Sequence, residues 1–214
     1  MDLKDKKQII IGVAGGSGSG KTSFISNLKE KFPQEQVCFV SQDNYYKPRE
    51  QQLRDKEGIK NFDLPYSINL DNLYYDILKL IQGKELKFLE YTFNNDFKDA
   101  REICIRPAPV IVVEGLYVFY YQLLRELFDL KVFVHAHDTY KIIRRIKRDI
   151  EERNYPMDDV IYRYQNHVQP SYDKHIAPYI WESDVIINNN NNYPPGLRVI
   201  EGFIKDFLRN KNKT

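Results

Sequence analysis

The chain has 214 residues, enough to bury a substantial core as one domain, 1–214, with a small appendage, and too few for two independent domains. Its 32 Lys and Arg against 30 Asp and Glu leave a formal net charge of +2, which excludes a general polyanion binder and makes any phosphate chemistry local. Cys38 and Cys104 lack the spacing of a zinc site or a disulfide framework, and no run approaches roughly eighteen apolar residues, so a soluble cytoplasmic protein with no membrane partner is expected.

Met1 to Gln8 is short and charged, without the apolar core of a targeting segment. Ile9 to Ala14 is a continuous apolar run that ends in glycines, as a buried parallel strand feeding a turn would. Val37 to Ser41, Val110 to Val113, Lys131 to Val134 and Asp184 to Ile187 repeat that pattern. Helices are predicted between them at Thr22 to Phe32, Asp71 to Gln82, Val118 to Phe128, Thr139 to Arg153, Asp158 to Tyr172 and Leu197 to Leu208. This alternation predicts an α/β fold with a parallel sheet covered by helices on both faces. Leu86 to Tyr91 and Glu102 to Arg106 read instead as a hairpin projecting from the sheet. Lys47 to Lys60, rich in charge and poor in apolar residues, reads as an exposed, mobile connection.

Gly15-Gly16-Ser17-Gly18-Ser19-Gly20-Lys21-Thr22 fits the phosphate-binding pattern G-x-x-x-x-G-K-[ST], in its required place between a strand and a helix. Glycines let the backbone N–H groups approach phosphate oxygens, and the helix adds the positive end of its dipole. Lys21 is expected to reach the β and γ phosphates of ATP and the Thr22 hydroxyl to bind Mg2+, with Ser23 as a further nucleotide-binding residue. Glu114, delivered by the apolar run from Val110, either holds the magnesium through water or is an ordinary strand-end acid.

The sequence has no Asn-Lys-x-Asp, and Asp55 to Gly58 is preceded by charges rather than a buried strand, which disfavours a switch GTPase. Asp43 follows the strand Val37 to Ser41 and so belongs at the edge that carries the phosphate loop. It reads equally as the base for an acceptor hydroxyl or as a turn cap. Arg144, Arg145, Arg148 and Arg153 put several cations on one helical segment, as a lid over the nucleotide or as a solvated face with pairs such as Arg145 to Asp149. His135 and His137 read as strand-end residues or as a metal pair.

Taken together, these residues resemble the uridine kinase family, whose relatives include phosphoribulokinase and the P-loop pantothenate kinases. The likeness runs from Ile9 to about Ile187 and rests on Gly15 to Thr22, Ser41 to Tyr46, Asn61 to Pro65, Glu90 to Phe93, Val113 to Gly115 and Arg144 to Arg153. It implies a P-loop fold with a five-stranded parallel sheet, a hairpin over the acceptor site at about 86–106, a helical lid at about 144–163 and a homotetramer in many members. It also implies ATP- and Mg2+-dependent phosphorylation of uridine or cytidine at the 5′-hydroxyl. By resemblance Asp43 is the base, Asp63 binds the ribose, Tyr91 packs on the nucleoside, and Arg145, Arg148 and Arg153 lie near substrate and lid. Lys21 and Arg148 join Asp43 as catalytic residues, and Tyr46 joins the substrate-binding set.

The chain departs from the family pattern at several positions. Asp96 stands where the family has a histidine that reads the pyrimidine edge, and an ionised carboxylate favours an amino group, hence cytidine. Arg163 stands in place of a glutamine near the nucleoside, Asn154-Tyr155 in place of Gly-Arg, and Asn188 to Asn192 in place of a glycine-containing loop near the nucleotide. Asp96, Tyr155 and Arg163 keep open a same-fold kinase for a non-nucleoside alcohol such as pantothenate or a sugar phosphate. A nucleotide-binding regulator without transfer activity is the other alternative. No basic stripe interleaved with aromatics suggests a nucleic-acid partner.

Overall fold

The structure, a computed structural model, describes residues 6–92, 100–152 and 154–211. Five parallel strands form the central sheet: β1 (Ile9–Ala14), β2 (Val37–Ser41), β5 (Val110–Gly115), β6 (Leu130–His135) and β7 (Val185–Asn188), in the spatial order β2-β5-β1-β6-β7. Every residue of β1 and β5 is buried, because helices cover both faces. Successive side chains point to opposite faces, so β1 splits its apolar run between two cores. Ile9, Ile11 and Val13 meet Phe24 and Leu28 of α1 (Lys21–Lys29) and Ile200 and Ile204 of α7 (Pro194–Lys211). Ile10 and Ala14 join the cluster on the other face, with Leu73, Ile77 and Leu80 of α2 (Leu70–Ile81). Each such side chain contributes about 1.5–3 kcal/mol on burial.

The expected strands are all present, with β1 and β2 at the predicted bounds. The predicted hairpin is β3 (Leu86–Leu89) paired antiparallel with β4 (Glu102–Ile105), Phe88 opposite Ile103.

Two helices differ from expectation. Only Gln122–Arg125 (α3) of the predicted Val118 to Phe128 is helical. The preceding Tyr117, Val118 and Phe119 are buried as a turn, with the Tyr117 N–H donating to Gln42 Oε1 at 2.9 Å, because three consecutive apolar residues cannot share one helix face. After α4 (Asp138–Glu151), the predicted helix from Asp158 becomes α5 (Met157–Arg163), a π turn at Tyr164–Val168 and α6 (Gln169–His175). Pro170 has no N–H to give Asn166, and the Gln169 N–H reaches back five residues to Tyr164 O.

The segment Lys47 to Lys60 is largely exposed, as expected, and it is tied to the body of the fold at Gln52 and Asp55. Gln52 is buried and donates through Nε2 to Lys47 O at 2.8 Å and Ser67 O at 3.2 Å. Asp55 Oδ2 meets His167 Nε2 at 2.6 Å and accepts from the Tyr162 hydroxyl at 2.8 Å, while Oδ1 accepts from the N–H groups of Glu57 and Ile59. Asp55 thus serves as a tether, while Arg49, Glu50, Lys56 and Glu57 stay exposed.

Candidate active site

The carboxyl ends of β1, β2 and β5 meet at one edge, where the order of the strands reverses around β1. Between β1 and α1 the chain makes the glycine loop. Gly18 and Gly20 have φ of 77° and 86°, and a Cβ on Gly18 would stand 2.2 Å from Lys141 O, so this path is open only to glycine. Lys21 opens α1, and its Nζ forms a buried ion pair with Glu114 Oε2 at the end of β5. Glu114 Oε1 accepts from Ser41 Oγ at 2.5 Å at the end of β2. Burial opposes both charges, but Glu114, with Asp43 further off, holds the Lys21 pKa above its ordinary value. Lys21 and Ser41 likewise keep the Glu114 carboxyl below its usual range.

Asp43 sits in a 3-10 turn, Gln42–Tyr45, directly after β2, and its N–H donates to Ser41 Oγ at 3.4 Å. Buried Gln42 pins this turn through its bond to Tyr117. Lys21 and Asp43 line the same cleft, of about 610 Å³. One set of its walls is the glycine loop, Thr22, Ser23, Arg144 and Arg148; the other is Tyr46, Phe62, Asp63, Tyr91, Tyr155 and Arg163. Of the residues expected at the site, Gly15, Ser19 and Glu114 are buried behind this lining rather than on it. Asp96 and Arg153 lie outside the described residues.

The aromatic wall is a stack. Tyr46 and Tyr91 have ring centroids 5.1 Å apart at 28°, with Phe62 tilted against Tyr46 at 6.3 Å. The Tyr91 N–H donates to Asn44 Oδ1 at 3.2 Å, which fastens the hairpin to the turn that carries Asp43. Burial, reinforced by Asp43 and Asp63, pushes the Tyr46 phenol well above its ordinary pKa and keeps it a neutral donor.

The expected arginines divide by role. Arg145 is buried and bridges three groups: Nη1 is 2.9 Å from Ser17 Oγ and 3.3 Å from Asp63 Oδ1. Its Nε lies 3.0 Å from Asp149 Oδ2, an ion pair whose angle falls short of a hydrogen bond. Arg148 donates through Nε to Asp149 Oδ1 at 2.9 Å, and its Nη2 lies 2.9 Å from the same oxygen as an ion pair, so buried Asp149 organises both cations. The predicted pairing of Arg145 with Asp149 therefore coexists with a place at the cleft. Arg163 donates to Asp159 Oδ2 at 2.9 Å and to Lys60 O at 3.1 Å. His135 and His137 have ring centroids 6.0 Å apart, and the described residues contain no group of three or more His, Cys, Asp or Glu placed to hold a metal.

Residues 10–193 match the Phosphoribulokinase / Uridine kinase family. The chain belongs to that family. A uridine kinase of Streptococcus agalactiae serotype V is 37% identical over 182 residues, 85% of this chain and 87% of that protein. One from Streptococcus gordonii is 36% identical over 204 residues, 95% of this chain and 97% of the relative. The phosphoribulokinase of Rhodobacter spheroides shares the fold, with a TM-score of 0.62 at 17% identity over 85% of this chain and 70% of that one. As a member of this family the chain is an ATP-dependent kinase. Among its described residues no helix is long and apolar enough to cross a membrane.

The geometry adds contacts that motif reading could not supply. In this family member Arg144 donates through Nη2 to Asn189 O at 2.9 Å and Asn190 O at 3.1 Å, and Asn189 Nδ2 donates to Ser19 O at 2.7 Å. Arg144 carried a signal, its spacing from Arg148. Asn189 sits in a run of identical residues, where composition says nothing about position.

Proposed function

We propose that the chain transfers the γ-phosphoryl group of ATP to the 5′-hydroxyl of a pyrimidine nucleoside, uridine or cytidine, and releases ADP and the nucleoside monophosphate. The observation that carries this reading is the convergence of Lys21 and Asp43 on one cleft, with Asp63 and the Tyr46–Tyr91 stack beside them. Loop glycines without room for a Cβ, followed by Lys21 and an exposed Thr22, fit a polyphosphate. Thr22 and Glu114 supply the hard oxygen donors that suit Mg2+, which when bound neutralises charge on the β and γ phosphates.

The acceptor oxygen attacks the γ phosphorus as the bond to the β–γ bridging oxygen breaks, and the hydroxyl proton passes to the Asp43 carboxylate. Lys21 and Arg148 stabilise the charge that spreads over the transferring oxygens. Asp63 accepts from two vicinal ribose hydroxyls, and the aromatic stack covers one face of the base. The segment 144–163 acts as a lid on a single kinase domain.

Arg163 and Tyr155 in the cleft lining favour a second reading, a non-nucleoside alcohol that carries an anionic group. Labelled ATP offered with uridine, cytidine, pantothenate or a sugar phosphate separates the two. The proposal expects label on a nucleoside. Turnover of pantothenate or a sugar phosphate with none of either nucleoside supports the second reading, and ATP binding without consumption supports a regulator.

A further inference from the structure

The run Asn188 to Asn192 follows β7 and belongs to no phosphate-binding motif, yet it is fastened to the back of the glycine loop. Asn189 is buried, and its amide Nδ2 donates to Ser19 O at 2.7 Å. It lies so close that a Cβ on Gly20 would stand 2.1 Å from that nitrogen. The Asn189 N–H donates to His135 O at 2.7 Å, which fixes the residue to the end of β6. Arg144, reaching from α4, donates to Asn189 O at 2.9 Å, to Asn190 O at 3.1 Å and, at 3.5 Å, to Gly18 O. Asn190 Oδ1 in turn accepts from the His137 N–H at 2.8 Å.

In a trans peptide the C=O and the following N–H point to opposite sides. Holding the Ser19 carbonyl against Asn189 therefore turns the Gly20 N–H away from Asn189, toward the cleft that Gly20 lines. The Gly18 carbonyl, held by Arg144, orients the Ser19 N–H, which donates back to Gly16 O at 3.1 Å and closes the loop on itself. Phosphate oxygens need donors that are already aimed, because a loop that must reorganise on binding loses affinity.

We propose that Asn189, backed by Arg144, is a positioning residue for the donor polyphosphate: it sets the peptide orientation of the glycine loop from the side opposite the cleft. Arg144 is thus spent on backbone carbonyls, and the charge-neutralising work on α4 falls to Arg148. The inference rests on ATP as donor and is indifferent to which alcohol accepts.

Equilibrium ATP binding without acceptor, measured beside melting temperature, tests it on Asn189→Ala, the isosteric Asn189→Asp and Arg144→Lys. The dissociation constant for ATP should rise about tenfold in Asn189→Ala, and further in Asn189→Asp, which sets an oxygen against the Ser19 carbonyl. Arg144→Lys, which keeps charge but not the fork, should weaken ATP several-fold. In the assay with acceptor, the KM for ATP should rise while the KM for the acceptor stays within twofold. ATP affinity within twofold of the parent in the folded variants overturns the proposal, as does a lower melting temperature with unchanged affinity. Should the Asn189 variants fail to fold, Arg144→Lys decides it on the same criterion. A chain that binds ATP in this pattern but phosphorylates no nucleoside sinks the acceptor assignment and leaves this inference standing.

Discussion

Lys21 and Glu114 are 8% and 10% exposed, so removal of either partner strands a charge away from water. Lys21→Ala should cost about 3 kcal/mol, which for a chain of this size lowers Tm by about 10 °C, and adding Glu114→Gln should recover most of the loss. Calorimetry on the two single variants and the double variant reads this directly; a double variant destabilised by the sum of the two single losses would show that the pair is not coupled. Asp63, partnered only loosely by Arg145 at 3.3 Å, is predicted to act on the acceptor. Asp63→Asn should raise the acceptor KM by about tenfold or more with the KM for ATP unchanged, and a shift in the ATP term instead would place Asp63 on the donor side. The glycine loop, Lys21 and Asp43 were legible in the sequence because each is tied to a strand end by short spacing. The pairing of Arg145 with Asp149 was also legible from their spacing, but the burial of Arg145 against Ser17 and Asp63 was not, because it depends on contacts from separate segments.

At the scale of elements, the strands were readable because parallel strands covered on both faces leave continuous apolar runs, as Ile9 to Ala14 does. The segment Val118 to Phe128 was not, since Val118 and Phe119 bury side by side in a turn while Leu123 stays exposed, so its apolar residues do not mark one helix face. The exposure of the loop 47–60 was readable from its charge, but charge content alone does not reveal a tether such as Asp55 to His167. Partial burial would raise the Asp55 pKa, but the bonds from His167, Ile59, Tyr162 and Glu57 outweigh it and hold the carboxyl at about 2. A depressed aspartate stabilises the fold fully above its unfolded pKa of about 3.9, and loses that contribution as the pH falls through its folded value. An NMR titration of the Asp55 carboxyl should therefore show a midpoint near 2 that moves up toward the ordinary value in His167→Phe. A midpoint near 4 in the parent would mean that the tether is absent in solution. Asp55→Ala should also speed amide exchange at Glu57 and Ile59 by about tenfold, since both donate to Asp55 Oδ1.

Across the whole molecule, function follows from strand order. β5 lies between β1 and β2, with Ala14 opposite Gly115 and Ser41 opposite Glu114, so the segments after β1 and β2 leave the sheet at one level and face a common cleft. Tyr91 beyond the first hairpin strand, Pro48 to Glu50 of the loop 47–60, and Arg144, Arg145 and Arg148 of α4 all line this cleft. Alternating strands and helices foretold the layers and the edge, and the family resemblance put the Asn188 to Asn192 segment near the nucleotide, whereas its bonds to the glycine loop, far apart in sequence, were not readable from spacing. The most direct measurement of the account is phosphoryl transfer to uridine or cytidine by Asp43→Asn, with ATP binding followed in parallel. ATP affinity should stay within twofold of the parent while transfer falls by about 10²- to 10⁴-fold. Transfer at the parental rate would contradict the assignment of Asp43 as the base and, with it, the reading of the cleft.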